Sequence, residues 1–268
     1  GSTLLFTNWN SILRAREVTV ASNGLLTLPG PFSNSIPSNN IYIVCTNLVV
    51  MNTGQIYADG KGYAGGNTSL GPGGYGPGGS AASTYHGASH GGIGGGDTAQ
   101  AATPKAPYGE ANAPLVPGSG GGWWNGPTSH GGGAIRIEAV GTVTVYGVIS
   151  ANAINNGDNQ WGGGSGGSVW IRCSRIMGTG LVAANGGYGK GIGGNGGGGR
   201  VAIDFNPAIQ QGACDISFRA QQGISNTLPA GSPGTLWFAD TTIIPNSIGP
   251  SQFWGVVVSG SGVYRHFN

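Results

Sequence analysis

Three charged residues recur at nearly the same interval along this chain. Glu138, Arg172 and Asp204 are separated by 34 and 32 residues. Two carboxyls flanking one bond, about 5–9.5 Å apart, are what glycoside cleavage requires. If successive repeats hydrogen-bond about 4.8 Å apart, Glu138 and Asp204 fall within that range. The arginine between them argues otherwise. It pairs off both acids and leaves neither tuned as a general acid. The plainer expectation is a cross-strand charge ladder at about 0.2–1 kcal/mol per pair. A neighbouring column, Tyr42, Arg136, Trp170, Ala202 and Trp237, would set aromatic platforms beside those charges. The combination is also what a saccharide-binding or polysaccharide-cleaving groove would use.

A second aromatic set lies among glycines: Tyr63, Tyr75, Tyr85, Tyr108, Trp123, Trp124, Trp161 and Tyr188. Such rings either fold over the glycine tracts and bury them, or stand out as platforms for a sugar or another subunit. Trp123, Trp124, Trp161, Tyr188, Trp170, Trp237 and Arg136 are the candidate contact residues, and the Trp123–Trp124 pair is the first choice among them. His86 and His90 are four apart, but in a glycine tract and without acids, so no metal site is expected. Gly189-Lys190-Gly191 lacks the Ser or Thr and the preceding strand of a phosphate-binding loop. Calcium-binding nonapeptides do not repeat. No cofactor is expected. Cys45, Cys173 and Cys214 form neither a zinc pattern nor a full disulfide framework. Cys45 and Cys173 share a column with Ala139 between them, about 10 Å apart, too far for a disulfide.

The elements that must position these residues repeat. Ile41–Cys45, Leu48–Val50 and a run through Ile56 to Gly60 lead into a long glycine tract. The same order returns at Ala134–Glu138, Val143–Val145 and Gly147–Asn152. It returns again at Ser168–Cys173 with Gly180–Gly186, and at Arg200–Phe205 with Ile216–Ala220, and opens once more at Thr235–Phe238. Ile135 to Val169 is 34 residues, Val169 to Val201 is 32, and Val201 to Leu236 is 35. A fixed period of 20–50 residues marks a solenoid or array. Short alternating strands without a helical pattern make it an all-β solenoid, parallel β-helix-like, with turns of 32–35 residues.

Alternation assigns the faces. Ile135 and Ile137, Val169 and Ile171, Val201 and Ile203, and Leu236 and Phe238 should stack inward. Ile56, Ile149, Val182 and Phe218 should form a second inner column, with Ala58, Ala151, Ala184 and Ala220 beside it. Asp59, Asn152 and Asn185 then share a corner, where stacked side chains would satisfy turn backbone. The glycine-rich excursions leave at this corner and return before the first strand. They would pack side by side, polyproline-II-like, on one edge. Ile41 to Ile135 is 94 residues, which is one turn with the tract inserted or nearly three turns.

With 57 glycines, the chain far exceeds the usual glycine share of about 7%, yet no strict triplet period makes it collagen. With 38% hydrophobic residues and a net charge of +2 it is not a disordered polyelectrolyte. That charge gives no case for nucleic acid, and no apolar run reaches the ~20 residues of a membrane span. The opening GSTLLF carries no signal-peptide pattern. The low charge and the wealth of Gly, Asn, Ser and Thr point to a secreted or cell-surface location. The organisation expected is a single domain over 1–268. Residues 1–40 form an N-terminal cap or joining segment, with an Asn23-Gly24 turn. Leu13–Val18 within it is either strand or a helical turn. Turns occupy 41–240 with the insertion at 60–133, and 241–268 is a C-terminal cap or joining segment with strands near 253–258 and 263–267.

At Gly131–Ile137, Gly147–Asn152, Gly163–Ile171, Gly180–Gly187 and Gly196–Ile203 the chain resembles glycine-rich secreted and cell-surface proteins of bacteria. Their repeats read GGGAIRI, ANGG, GGSGGSIWI and GGGGRIAI. The resemblance covers residues 40–205 and implies a structural or adhesive role. A looser likeness, by composition, is to glycine-rich tail-fibre adhesins of phages. The function expected is therefore non-catalytic: an extracellular structural or adhesive protein, self-associating into a layer, matrix or filament. The alternatives are a carbohydrate-binding adhesin or fibre tip, then a polysaccharide lyase or glycoside hydrolase. The partners expected are other copies of the chain and extracellular polysaccharide.

Overall fold

The computed structural model describes residues 1–268 except 34–35, 67–72, 82–83, 97–102, 123–128, 155–161, 226–228, 246–251, 261–263 and 268. The described residues hold no α-helix, and the 3-10 turn Thr241–Ile243 is the one helical element among them. The strands are β1 (Thr3–Leu5), β2 (Leu13–Val20), β3 (Leu25–Thr27), β4 (Ile41–Val50), β5 (Gln55–Tyr57), β6 (Ala134–Ala139), β7 (Thr142–Val145) and β8 (Val148–Ser150). They continue as β9 (Ser168–Cys173), β10 (Arg175–Met177), β11 (Leu181–Ala183), β12 (Arg200–Phe205), β13 (Ser217–Arg219), β14 (Thr235–Phe238), β15 (Phe253–Ser259) and β16 (Tyr264–Phe267). Leu13–Val20 is thus strand and not a helical turn. All pairings between these strands are parallel except β15 with β16.

Each repeat lays its strands on those of the repeat before, as rungs on three ladders. The first ladder runs β2, β4, β6, β9, β12, β14 and β15. The second, from the later halves of β2 and β4, runs on through β7 and β10. The third runs β1, β3, β5, β8, β11, β13 and β15. The expected columns are present. Ile41, Ile135, Val169, Val201 and Leu236 are in register and fully buried. So are Ile56, Ile149, Val182 and Phe218 on the third ladder. Each such Val or Ile contributes roughly 1.5–3 kcal/mol by leaving water. At the C-terminal end the columns close on three rings: Phe218, Phe238 and Phe253, with centroids 5.1, 5.7 and 6.0 Å apart.

The direct pairing of Ile41 with Ile135 answers the question of the 94-residue gap. No strand of the tract after Gly60 comes between β4 and β6 on the first ladder. The tract's return point, and those of the later tracts, are built around one glycine per rung. Gly167 N–H donates to the Ala151 carbonyl, Gly199 to Ala184 and Gly234 to Ala220, each at 2.7 Å. A Cβ on any of the three would collide with the carbonyl of the glycine one rung back: Gly133, Gly167 and Gly199 respectively. The period fails after Phe238 because β15 skips the excursion. Phe253 pairs with Phe218 on the third ladder, and Val256, three residues on, pairs with Thr235 on the first. Gly255, at φ +154, makes that step between them.

Candidate functional site

The outer face of the first ladder carries the column Tyr42, Arg136, Trp170, Ala202 and Trp237 in register, as expected. Alternation places these side chains opposite the buried isoleucines of the same strands. The Arg136 guanidinium lies 4.2 Å from the Tyr42 ring centroid and 5.0 Å from that of Trp170. It is therefore held between two aromatic faces. From there its Nε donates to Glu138 at 2.6 Å, and Nη2 pairs with the same oxygen. The Tyr42 hydroxyl donates to that oxygen as well, at 2.8 Å. Burial works against the charge on Glu138. The hydrogen bonds from Tyr42 and Arg136, with the positive charges of Arg136 and Arg172, outweigh it and hold the carboxyl below its ordinary range.

This differs in one respect from the expected charge ladder. Glu138 bonds to Arg136 on its own strand, because the two aromatic rings fix that guanidinium in place. Arg172 pairs with Asp204 instead, at 3.4 Å, with 64% and 38% of the two side chains exposed. So open a pair contributes little. Beside it runs a groove of about 440 Å³, lined by Val44, Glu138, Val140, Arg172, Asp204 and Asn206 among others. A carboxylate held below its ordinary range, with Tyr42 and Arg136 both donating to one of its oxygens, is a poor general acid. The arrangement suits binding better than proton transfer.

The excursion carries the second candidate set. Tyr63 and Tyr85 are buried, and Tyr63 meets Phe32 edge-on at 4.8 Å. The Tyr108 hydroxyl donates to the Pro117 carbonyl at 2.6 Å and lies 2.8 Å from Ser119 Oγ. These rings cover the glycine tracts. Tyr188 is 42% exposed. Trp170 and Trp237 are half-buried. Trp123, Trp124 and Trp161 lie outside the described residues. The structure thus brings Arg136, Trp170 and Trp237 together on one face, while Tyr188 lies apart from that column in the tract after β11.

Beneath the rings the tracts bond backbone to backbone. Tyr63 N–H donates to Gly118, Gly118 to Gly132, and Gly132 to Ser165; Gly166 donates to Gly197, Gly197 to Ala88, and Ala88 to Gly163, at 2.8–3.1 Å. The 163–167 tract therefore has partners on several sides, not the two of a sheet strand. The corner ladder is also as expected. Asn152 N–H and Nδ2 donate to the two Asp59 oxygens at 2.8 and 2.9 Å, Asn185 N–H to Asn152 Oδ1 at 2.8 Å, and Gln221 N–H to Asn185 Oδ1 at 2.9 Å.

Sequence reasoning missed three polar placements. Gln210 ends the second ladder. Its Oε1 accepts from Ile176 N–H at 2.9 Å and its Nε2 donates to the Ile176 carbonyl at 3.1 Å, where a further strand would sit. Arg200 is buried under the excursion and donates to the Tyr108 carbonyl and to Thr235 Oγ1. Ser165 Oγ accepts from Ser119 N–H at 2.8 Å. The repeated Gly-Ser-Gly at 118–120 and 164–166 is the one signal that could have announced it.

The three cysteines are free and buried. Cys45 faces Ala139 on β6, which keeps it two rungs away from Cys173 on β9. Burial pushes Cys45 to about 11, Cys173 to about 12 and Cys214 to about 11, so all are neutral thiols near pH 7. Among the described residues no group of three His, Cys, Asp or Glu could hold a metal ion. No described helix is long and apolar enough to cross a membrane. Comparison with protein-family models, with curated proteins and with solved structures finds no match to this chain.

Proposed function

We propose that this chain is a β-solenoid, parallel β-helix-like, with turns of 32–35 residues and polyproline-II-like glycine excursions on one edge, and that it is a non-catalytic structural or adhesive protein of the cell exterior. The observation that carries the reading is the backbone-to-backbone bonding of the glycine tracts. A chain that gives 57 residues to glycine and hydrogen-bonds its tracts on several sides invests in a stiff, sparsely charged body. The polar face supports the same reading, since one oxygen of Glu138 is taken up by Tyr42 and Arg136. Self-association into a layer, matrix or filament is part of the proposal. Among the described residues β2 pairs on one side only, with β4, and Leu4 and Leu5 on β1 are 46% and 48% exposed. An open strand edge of this kind takes up further strands. Sedimentation across a concentration series, with electron microscopy of the concentrated protein, tests it. Filaments or sheets are expected, and discrete monomers at every concentration would refute self-association.

A second reading, carbohydrate binding, draws on the groove beside Arg172. An extracellular polysaccharide is the ligand class, with Trp170 and Trp237 on the same outer face as further contacts. Glycan-array binding that Arg172→Ala abolishes is the expected result. An array without signal, or a signal indifferent to Arg172, removes this reading.

A further inference from the structure

Three of the four histidines, His86, His90 and His130, lie in the 60–133 excursion, and the fourth, His266, is on the terminal strand. The excursion rings act as neutral hydrogen-bonding groups within the glycine lattice. His130 Nδ1 accepts from Gly65 N–H at 3.0 Å, which requires a lone pair on that nitrogen. His90 is fully buried, and its Nδ1 lies 2.8 Å from the Gly166 carbonyl. That nitrogen therefore carries the proton, and Nε2 keeps a lone pair. Nε2 is buried and has no hydrogen-bond partner. The ring packs on Tyr108 at 4.6 Å.

The charges around both rings oppose a second proton. Arg200, from β12, acts on His90. Its Nε is anchored on the Tyr108 carbonyl at 2.9 Å. Glu110 faces Arg200. Lys61 acts on His130. No ion pair between a carboxylate and either ring is present among the described residues. His90 pins the excursion to the 162–167 tract, and His130 pins the end of the excursion to its beginning.

We propose that the described parts of the excursion, 84–96 and 104–122, form an acid-released latch: the neutral ring of His90 holds them on the 162–167 tract, the neutral ring of His130 closes the base of the excursion on Gly65, and protonation loosens both while the ladders stay paired. Burial, reinforced by Arg200, lowers His90 to about 3. Burial and Lys61 lower His130 as well. The sign follows from linkage. A ring whose folded value lies below its free value, about 6.5, stabilises the closed form above that pH. The stabilisation is lost as pH falls towards the folded value. Each ring then raises the open-to-closed ratio by up to about tenfold per pH unit below 6.5. The inner columns of the ladders hold no histidine, so the stack does not share this response.

Hydrogen exchange, corrected for intrinsic rate, reads the latch directly. Peptides from 84–96 and 104–122 are compared with peptides from 134–150 and 168–183 at pH 7.5 and pH 5. The expected result is at least a tenfold loss of protection in the first pair at pH 5 and none in the second. His90→Asn keeps a donor towards Gly166, and His130→Asn keeps an acceptor for Gly65 N–H, while neither side chain titrates. Each should shrink the pH response. Should His90→Asn fail to fold, His130→Asn alone carries the test. Unchanged protection at pH 5 overturns the proposal. So does equal loss from excursion and stack, or a response that both variants leave intact.

Discussion

At the scale of single residues, the side chains that matter most stand in for missing backbone. Gln210 is the clearest case. The second ladder stops at β10, and a strand edge inside the body would leave Ile176 N–H and C=O unpaired. The Gln210 amide presents an acceptor and a donor at peptide spacing and satisfies both. A buried group left unsatisfied costs about 1–3 kcal/mol. Gln210→Leu should therefore lower stability by about 2–6 kcal/mol in urea unfolding. A loss under about 1 kcal/mol for the leucine variant would show that water reaches the edge. Nothing in the sequence near Gln210 signals this role, because the need for a cap exists only once a strand is absent from the rung. The Arg136–Glu138 pairing was hidden for a similar reason. Register alone put Arg172 beside Glu138. The choice of partner came from Tyr42 and Trp170, whose faces hold Arg136 in place.

At the scale of elements, the strands were legible and the glycine tracts only partly so. A strand declares its faces by alternation, so Ile135, Val169, Val201 and Leu236 could be stacked from their spacing, and the structure stacks them. A glycine tract has no side chains to alternate. Its partners are other tracts far away in sequence, such as Gly197 for Gly166 and Ser165 for Gly132. Glycine pairs do precede three of the first strands, at Gly132-Gly133, Gly166-Gly167 and Gly198-Gly199, and those pairs have a steric cause. At Gly167 an added Cβ would run into the Gly133 carbonyl, whereas at Gly30 it would meet nothing within 4 Å. The obstacle at Gly167 is backbone that also accepts from Ser168 N–H at 3.0 Å, so it cannot yield without breaking the first ladder. Gly167→Ala should cost about 3 kcal/mol or more, the high end for overpacking. Gly30→Ala should stay within about 0.5 kcal/mol, as surface changes do. Thermal unfolding of the two variants side by side measures the contrast, and equal midpoints would mean that the returning glycines are not in close contact.

At the scale of the whole molecule, the long glycine-rich stretch is either a tether or a part of the body. The two possibilities predict opposite signs for one deletion. A flexible loop costs closure entropy that grows slowly with length, about 0.6 kcal/mol per doubling. If 67–128 were a tether, replacing it with a short Gly-Ser link should raise stability by up to about 1 kcal/mol. In this structure the segment supplies partners to the body instead. Ala88 N–H donates to Gly163, Gly91 N–H to Gly198, and the Ala88 carbonyl accepts from Gly197. The Ser119 carbonyl accepts from Ser165 N–H, the Tyr108 carbonyl from Arg200, and the Val116 carbonyl from Ser168 Oγ. Water would replace these partners after deletion, so the loss is the net value of each bond, about 0.5–1.5 kcal/mol. Together they come to about 3–9 kcal/mol, well above the entropy recovered. The shortened protein should thus unfold at lower urea concentration than the full chain, with its far-ultraviolet β signal retained. A midpoint equal to or above that of the full chain would make the stretch a tether after all. It would also remove the ground on which both the stiff-body reading and the histidine latch stand.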